Sequence, residues 1–251
     1  MTQDASSAES GQRKKPGRLD RMMFRLFTRP ATITAVETIS ERFKLIDFSG
    51  EAVKDGEWSP GQKIQIPLGG GMFISRTYTP IQWDKNLGIG RILGFAHGEG
   101  PGSDWVRTVK NGDECQIFGP RRSLDGSELI AATALFGDET SFGLAASIHS
   151  TGATARTPRL IFEVSSIVES QLALERLGLG AALLVEREAQ DAHWPAIENH
   201  MIEAGADGGR LVLTGKAPSI QRVSRALKAR GFESSRIRSK VYWAPGKAGL
   251  D

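Results

Sequence analysis

The order of patterns along the chain predicts a two-unit β + α/β protein: an antiparallel β-barrel, then an α/β unit on a parallel sheet. Three observations carry this. From residue 31 to about 120, short runs alternate apolar with polar residues between close turns. From about residue 128, apolar strands alternate with helical stretches. No segment repeats at the period of a solenoid.

In the first unit, "ATITAVETIS" and "RFKLIDFSG" are β-rich and alternating, and Ser59–Gly61 is a turn. "QKIQIPL" is the next strand, and Gly69–Gly71 breaks it. "RTYT" follows, then a turn around "DKNLGIG", the apolar strand "RILGFAH", and "VKNGDECQIFG", a turn feeding another strand. Some six short strands so closely spaced suit a small barrel. In the second unit, "ELIAATALFGDETSFGLAASIHS" reads as strand, loop and helix. "RLIFEVSS" is a strand, "ESQLALERLGL" a helix and "AALLVER" a strand. "HWPAIENHMIEAG" is a helix, "GRLVLTG" a strand, "APSIQRVSRALKARG" a helix and "IRSKVYWAPG" a closing strand. The boundaries expected are 1–27 for a disordered basic arm, 28–127 for the barrel and 128–251 for the α/β unit.

Composition narrows the function. With 39% hydrophobic and 24% charged residues, the 251-residue chain is of ordinary globular type. No apolar run reaches the ~18 residues of a membrane span. The N-terminus is polar and charged, unlike a signal peptide, so a cytoplasmic location is expected. Seven of the 32 basic side chains, but only three of the 29 acids, fall in residues 1–30. The excess positive charge therefore sits in the arm. Aromatic residues do not interleave with it, so nucleic acid is not expected as a partner. One cysteine, Cys115, and four scattered histidines give no ligand spacing for a metal, and none is expected.

Four motifs could carry chemistry. In Arg76-Thr77-Tyr78-Thr79, alternation puts Arg76 and Tyr78 on one face. A forked guanidinium suits phosphate, a ring offers a stacking face, and a threonine hydroxyl can meet a ring edge. In "HGEGPGSDWV", a strand ends at His97, and a loop follows with glycines at 98, 100 and 102. Ser103 is placed to cap a short helix over 104–110, whose free N–H groups would favour an anion. In "FGDETSFGLA", the acids Asp138 and Glu139 read as helix caps and Thr140 as able to reach the boundary between the units. The end, "SKVYWAPGKAG", places Tyr242 and Trp243 on a terminal strand between Lys240 and Lys247. Adjacent strand residues point to opposite faces, so only one ring need be core. The other is open to covering a flavin or lining the cleft, and two packed rings with solvated lysines stay open as well.

In this order, "RTYT" (76–79), "HGEGPGSDW" (97–105), "GDET" (137–140) and "YW" (242–243) resemble the siderophore-interacting protein family. These are FAD-dependent ferric-siderophore reductases of ferredoxin reductase-like architecture. The resemblance covers residue 28 to the end. It implies that the barrel binds FAD and that the α/β unit resembles an NAD(P)H-binding domain. Arg76 would bind the FAD pyrophosphate, and Thr77 would be among the cofactor-binding residues. Tyr78 would pack on the isoalloxazine, with Thr79 at its reactive edge; these two are the expected catalytic positions. His97, Gly100, Pro101, Gly102 and Ser103 would hold the pyrophosphate and adenosine side, with Trp105 also among the cofactor-binding residues. Thr140 would line the flavin–nicotinamide junction, and Trp243 would be among the cofactor-binding residues. Lys63, Lys240 and Lys247 are the candidates for attracting a ferric siderophore or similar iron chelate. NADH, NADPH and ferredoxin stay open as donors. Two further readings stay open: another flavin reductase of this architecture, or a non-catalytic module that captures a ferric chelate. After "GDET" the family usually has Ala-Leu-Pro-Ala, and this chain has Ser141-Phe142-Gly143-Leu144.

Overall fold

A computed structural model describes residues 27–68, 74–124, 126–150, 152 and 157–246. The expected arm, but for Phe27, lies outside them, as do Gly69–Gly71 and Lys247.

The first sheet is built from β1 (Arg29–Thr38), β2 (Phe43–Ser49), β3 (Lys63–Pro67), β4 (Ser75–Tyr78), β5 (Gln82–Asp84), β6 (Ile89–Phe95) and β7 (Glu114–Arg121). A short helix, α1 (Glu51–Lys54), follows β2, and α2 (Pro101–Thr108) lies between β6 and β7. All pairings are antiparallel, in the order β4-β3-β7-β1-β2-β6-β5. Alternation is visible in β1, where Ala31 and Ile33 are buried on either side of Thr32, while β2 is buried on both faces, through Phe43 and Leu45 on one and Ile46 and Phe48 on the other.

The second sheet is parallel, in the order β10-β9-β8-β11-β12. Its strands are β8 (Ala132–Asp138), β9 (Arg159–Val164), β10 (Leu183–Glu186), β11 (Arg210–Lys216) and β12 (Ile237–Trp243). The helices are α3 (Gly126–Ile130), α4 (Phe142–His149), α5 (Ile167–Arg176), α6 (Trp194–Gly205) and α7 (Ala217–Ala229). β8 and β11 are buried along most of their length, as central strands covered on both faces must be. Among the described residues, no helix is long and apolar enough to cross a membrane.

The fold class holds, with one correction. The first sheet does not close into a barrel, because its edges, β4 and β5, do not pair with each other. Pro80 between them offers no N–H, and the three-residue β5 pairs only with β6. The side chains of β4 pack on α2 instead, a covered edge in place of a paired one.

One core joins the sheets. Phe43, Leu45, Ile81 and Leu93 of the first pack in the same cluster as Leu135, Phe142, Leu144 and Phe162 of the second. The Phe43 ring stacks between Phe95 (4.7 Å) and Phe142 (5.7 Å), and Phe142 meets Phe162 edge-on at 4.8 Å. Arg176 forks onto Glu37 at 2.6 and 2.8 Å, and Arg42 binds Glu169 and Ser165. The α/β edge of the second sheet is thereby held against β4 and β6, which sets up the site.

Candidate functional site

The carboxyl end of the parallel sheet faces the first sheet, and a cleft of about 350 Å³ opens there. This is where α/β sheets bind ligands. Strand β4 supplies one wall. Ile66 opposes Arg76 and Ile64 opposes Tyr78, so Arg76 and Tyr78 share a face, as alternation predicts. Both meet helix α2. The Arg76 side chain crosses Gly102 so closely that a Cβ there would lie 2.5 Å from Nε. The Tyr78 ring packs on Trp105, with centroids 5.7 Å apart. Burial raises the Tyr78 phenol well above its usual range, against the opposing pull of Arg76, so the ring stays neutral. Thr77 is exposed on the other side, beside Gln65. Thr79 hydrogen-bonds the Tyr242 hydroxyl, which ties β4 to the end of β12.

The glycine loop forms the floor. Gly98 (φ 63°) and Gly100 (φ 127°) hold left-handed backbone, and a Cβ on either would meet nothing within 4 Å. Helix α2 starts at Pro101, with Gly100 as its N-cap and no side chain capping it. The expected cap at Ser103 is corrected by this. Proline pre-sets φ for a first helical position, so the helix begins three residues earlier than the expected start at 104. Ser103 instead donates to the His97 carbonyl oxygen at 2.8 Å and closes the loop. Burial pushes His97 below its usual 6.5, with Glu139 opposing the shift and Arg76 and Arg187 adding to it.

The opposite wall comes from the second unit. Asp138 caps the turn after β8 by accepting from Thr140 N, as expected. It also accepts from Trp243 Nε1 at 2.7 Å. Trp243 faces His97, with centroids 5.7 Å apart, and Lys216 Nζ lies 5.7 Å from its ring. Glu139 is not a cap. It is buried and bound by Arg187 (3.0 and 3.1 Å) and by Ser165 N and Oγ (both 2.6 Å). Burial raises its carboxyl, but the Arg187 and Ser165 hydrogen bonds and the Arg187 charge outweigh that and hold it below the usual range. The Ser-Phe-Gly-Leu departure fits this wall: a Cβ on Gly143 would lie 3.1 Å from the Thr79 carbonyl oxygen. Ser141 accepts from Thr214, and Phe142 fills the shared core.

The structure thus brings Arg76, Thr77, Tyr78, Thr79, His97, Gly100, Gly102, Ser103, Thr140 and Trp243 to one cleft. Pro101 and Trp105 do not line it: Pro101 opens the helix and Trp105 backs Tyr78. Lys63 and Lys240 line the cleft, and Lys63 is buried. Tyr242 and Glu139 line it as well: both rings of the Tyr242-Trp243 pair face the cleft where one was expected, and Glu139 was expected as a cap and not as a site residue. Alternation along β12 allows one ring inward. The register shift at Gly215/Lys216, where Lys216 pairs with Trp243, relaxes that rule.

The cleft joins an arginine laid across a bare glycine loop, a tyrosine ring beside it and a second sheet facing both; with the comparisons that follow, the class is a FAD-dependent oxidoreductase of ferredoxin reductase-like fold. Residues 63–124 match the family model for the siderophore-interacting FAD-binding domain, and the resemblance read from the four motifs holds. The "NADPH-dependent ferric-chelate reductase" of Escherichia coli (strain K12) is 26% identical over 238 residues, 86% of this chain and 92% of that protein. A siderophore utilization protein from T. fusca superposes with a TM-score of 0.67 at 20% identity, covering 89% of this chain and 95% of that one. A ferredoxin NADP+ reductase from Neisseria gonorrhoeae with bound FAD and NADP also gives 0.67, at 16% identity, covering 86% and 99%.

Proposed function

We propose that this protein is a cytoplasmic FAD-dependent reductase of ferric siderophores or similar iron chelates, driven by NAD(P)H or reduced ferredoxin. The observation that carries the reading is the Arg76–Gly102 crossing at the start of α2. A guanidinium, an uncapped helix start and a bare glycine loop converge there, and together they suit a pyrophosphate. FAD, when bound, supplies two-electron acceptance and one-electron delivery. The chain's own residues bind and orient. Arg76 and the N–H groups opening α2 hold the phosphates. Tyr78 and Thr79 flank the ring, with Thr79 fixed by Tyr242. Thr140 and Trp243 line the side from which a donor would approach. Lys63 and Lys240 raise the encounter rate with an anionic chelate. Reducing Fe(III) to the softer Fe(II) weakens its hold on hard oxygen ligands, and the metal leaves. No protein ligand to iron is needed. The division into a FAD-binding unit at 28–127 and a donor-facing unit at 128–251 belongs to this reading, as does the match of residues 63–124 to a chelate-handling family.

The test is the visible spectrum of the purified protein after FAD addition and desalting. Flavin bands should remain, and anaerobic addition of NADH, NADPH or reduced ferredoxin should bleach them. A ferric chelate should then restore them, with Fe(II) appearing in a ferrous-trapping assay. Loss of all flavin on desalting overturns the site assignment and moves the chelate-binding module to the front.

A further inference from the structure

We propose that Asp138 is a positioning residue, whose carboxylate fixes the Trp243 indole as the far wall of the cleft. Four donors converge on it. Oδ2 accepts from Trp243 Nε1 at 2.7 Å and from Lys216 N at 2.9 Å. Oδ1 accepts from Thr140 N at 2.9 Å and from Thr140 Oγ1. The side chain is 1% exposed, so no water replaces a missing acceptor there. Three of the four are N–H groups that can only donate, and a carboxylate accepts from all three and from the Thr140 hydroxyl as well.

The surroundings are shaped for this. Gly215 has φ 98°, and a Cβ there would lie 2.6 Å from Oδ2. β11 gives up a side chain at the point where the carboxylate passes. The register of β11 against β12 slips at the same place, bringing Trp243 opposite Lys216. A turn cap needs only Oδ1. The two bonds made by Oδ2 reach β11 and β12, and capping does not account for them. Since Trp243 lines the cleft and faces His97, Asp138 sets its shape without touching a ligand.

The consequence for FAD rests on the function proposed above, so the test has an arm independent of it. Trp243 would be isolated among the tryptophans by comparing near-ultraviolet circular dichroism of the full-length wild type with Trp243→Phe. In flavin-free protein, Asp138→Asn should lose the same tryptophan band that Trp243→Phe removes. In the FAD arm, each variant should weaken FAD affinity about tenfold by flavin-fluorescence titration. The double variant should be no weaker than Asp138→Asn alone. Multiplying losses, or an unchanged band in Asp138→Asn, would overturn the proposal. If Asp138→Asn does not fold, Trp243→Phe decides: it keeps a ring and loses only the donor and the outer indole. FAD affinity at the wild-type level would overturn the proposal, and a tenfold loss would support it. If the wild type itself retains no FAD, the function proposed above fails, and the dichroism arm alone decides the role of Asp138.

Discussion

Two neighbouring acids, Asp138 and Glu139, are buried and pushed in opposite directions. Burial pushes Asp138 up to about 6, with Glu139 adding to the rise and the Thr140 and Trp243 hydrogen bonds and Arg187 opposing it. A carboxyl raised in the folded state contributes stability that is full below its unfolded value of 3.8 and lost as pH rises through about 6. A rise of this size is worth roughly 3 kcal/mol. Against Asp138→Asn, which cannot ionise, wild-type stability should therefore fall as pH rises from 4 to 6.5. Urea unfolding of both proteins across that range checks it, and parallel curves would refute it. Glu139 runs the other way: its contribution is present at neutral pH and lost as pH falls below the usual carboxylate range. Its partner Arg187 also binds the buried Glu163, at 3.3 Å. Arg187→Met should leave the buried Glu139 without its cation and Glu163 with only His193 and Ser219, and cost about 3–5 kcal/mol, read as a lower urea midpoint. Little of this was legible in sequence. "GDET" identifies a turn with caps, but the cation that answers Glu139 comes from the far end of β10, and nothing in the spacing of Arg187 announces it.

At the scale of elements, strands were read well where one face is buried. In β1, Ala31 and Ile33 are buried on either side of Thr32, and a one-residue slip would turn both to water. β2, β3 and β6 bury residues of both faces, so their burial does not alternate. The four- and five-residue helices α1 and α3 were missed, since so short a helix shows no periodicity. Helix α2 starts earlier than Ser103 suggests as a cap, because Pro101 already holds the φ of a first helical position. The β4–α2 contact gives a prediction of its own. Gly102→Val places a side chain where Arg76 now lies. The arginine is long and can swing away, so the fold should survive with less than about 1.5 kcal/mol lost. FAD affinity should drop at least tenfold, as in Arg76→Ala. Thermal unfolding and a flavin titration of the two variants would separate these effects, and tight FAD binding by Gly102→Val would count against the cradle.

Over the whole molecule, the sequence gives two textures but not their union. A change from alternating strands to strand-and-helix units suggests separable bodies. The contacts between them are long-range and leave no local pattern. Phe142 belongs to the second unit by sequence, yet stacks on Phe43 of the first. Phe142→Ala should cost about 3–5 kcal/mol. Calorimetry should show one unfolding transition for wild type and variant alike. Two resolved transitions would mean that the shared core is not cooperative.

The ladder of rings from Phe95 through Phe43 and Phe142 to Phe162 has a practical consequence. Divided near residue 125, the gene would yield two fragments, each exposing half of an aromatic seam. Made separately, each should aggregate or fold poorly. Made together, they should find each other and rebuild the cleft, because the seam that holds the sheets also aligns the residues facing across it. The protein would then serve as a split reporter, with recovered flavin colour as the signal that both halves have met.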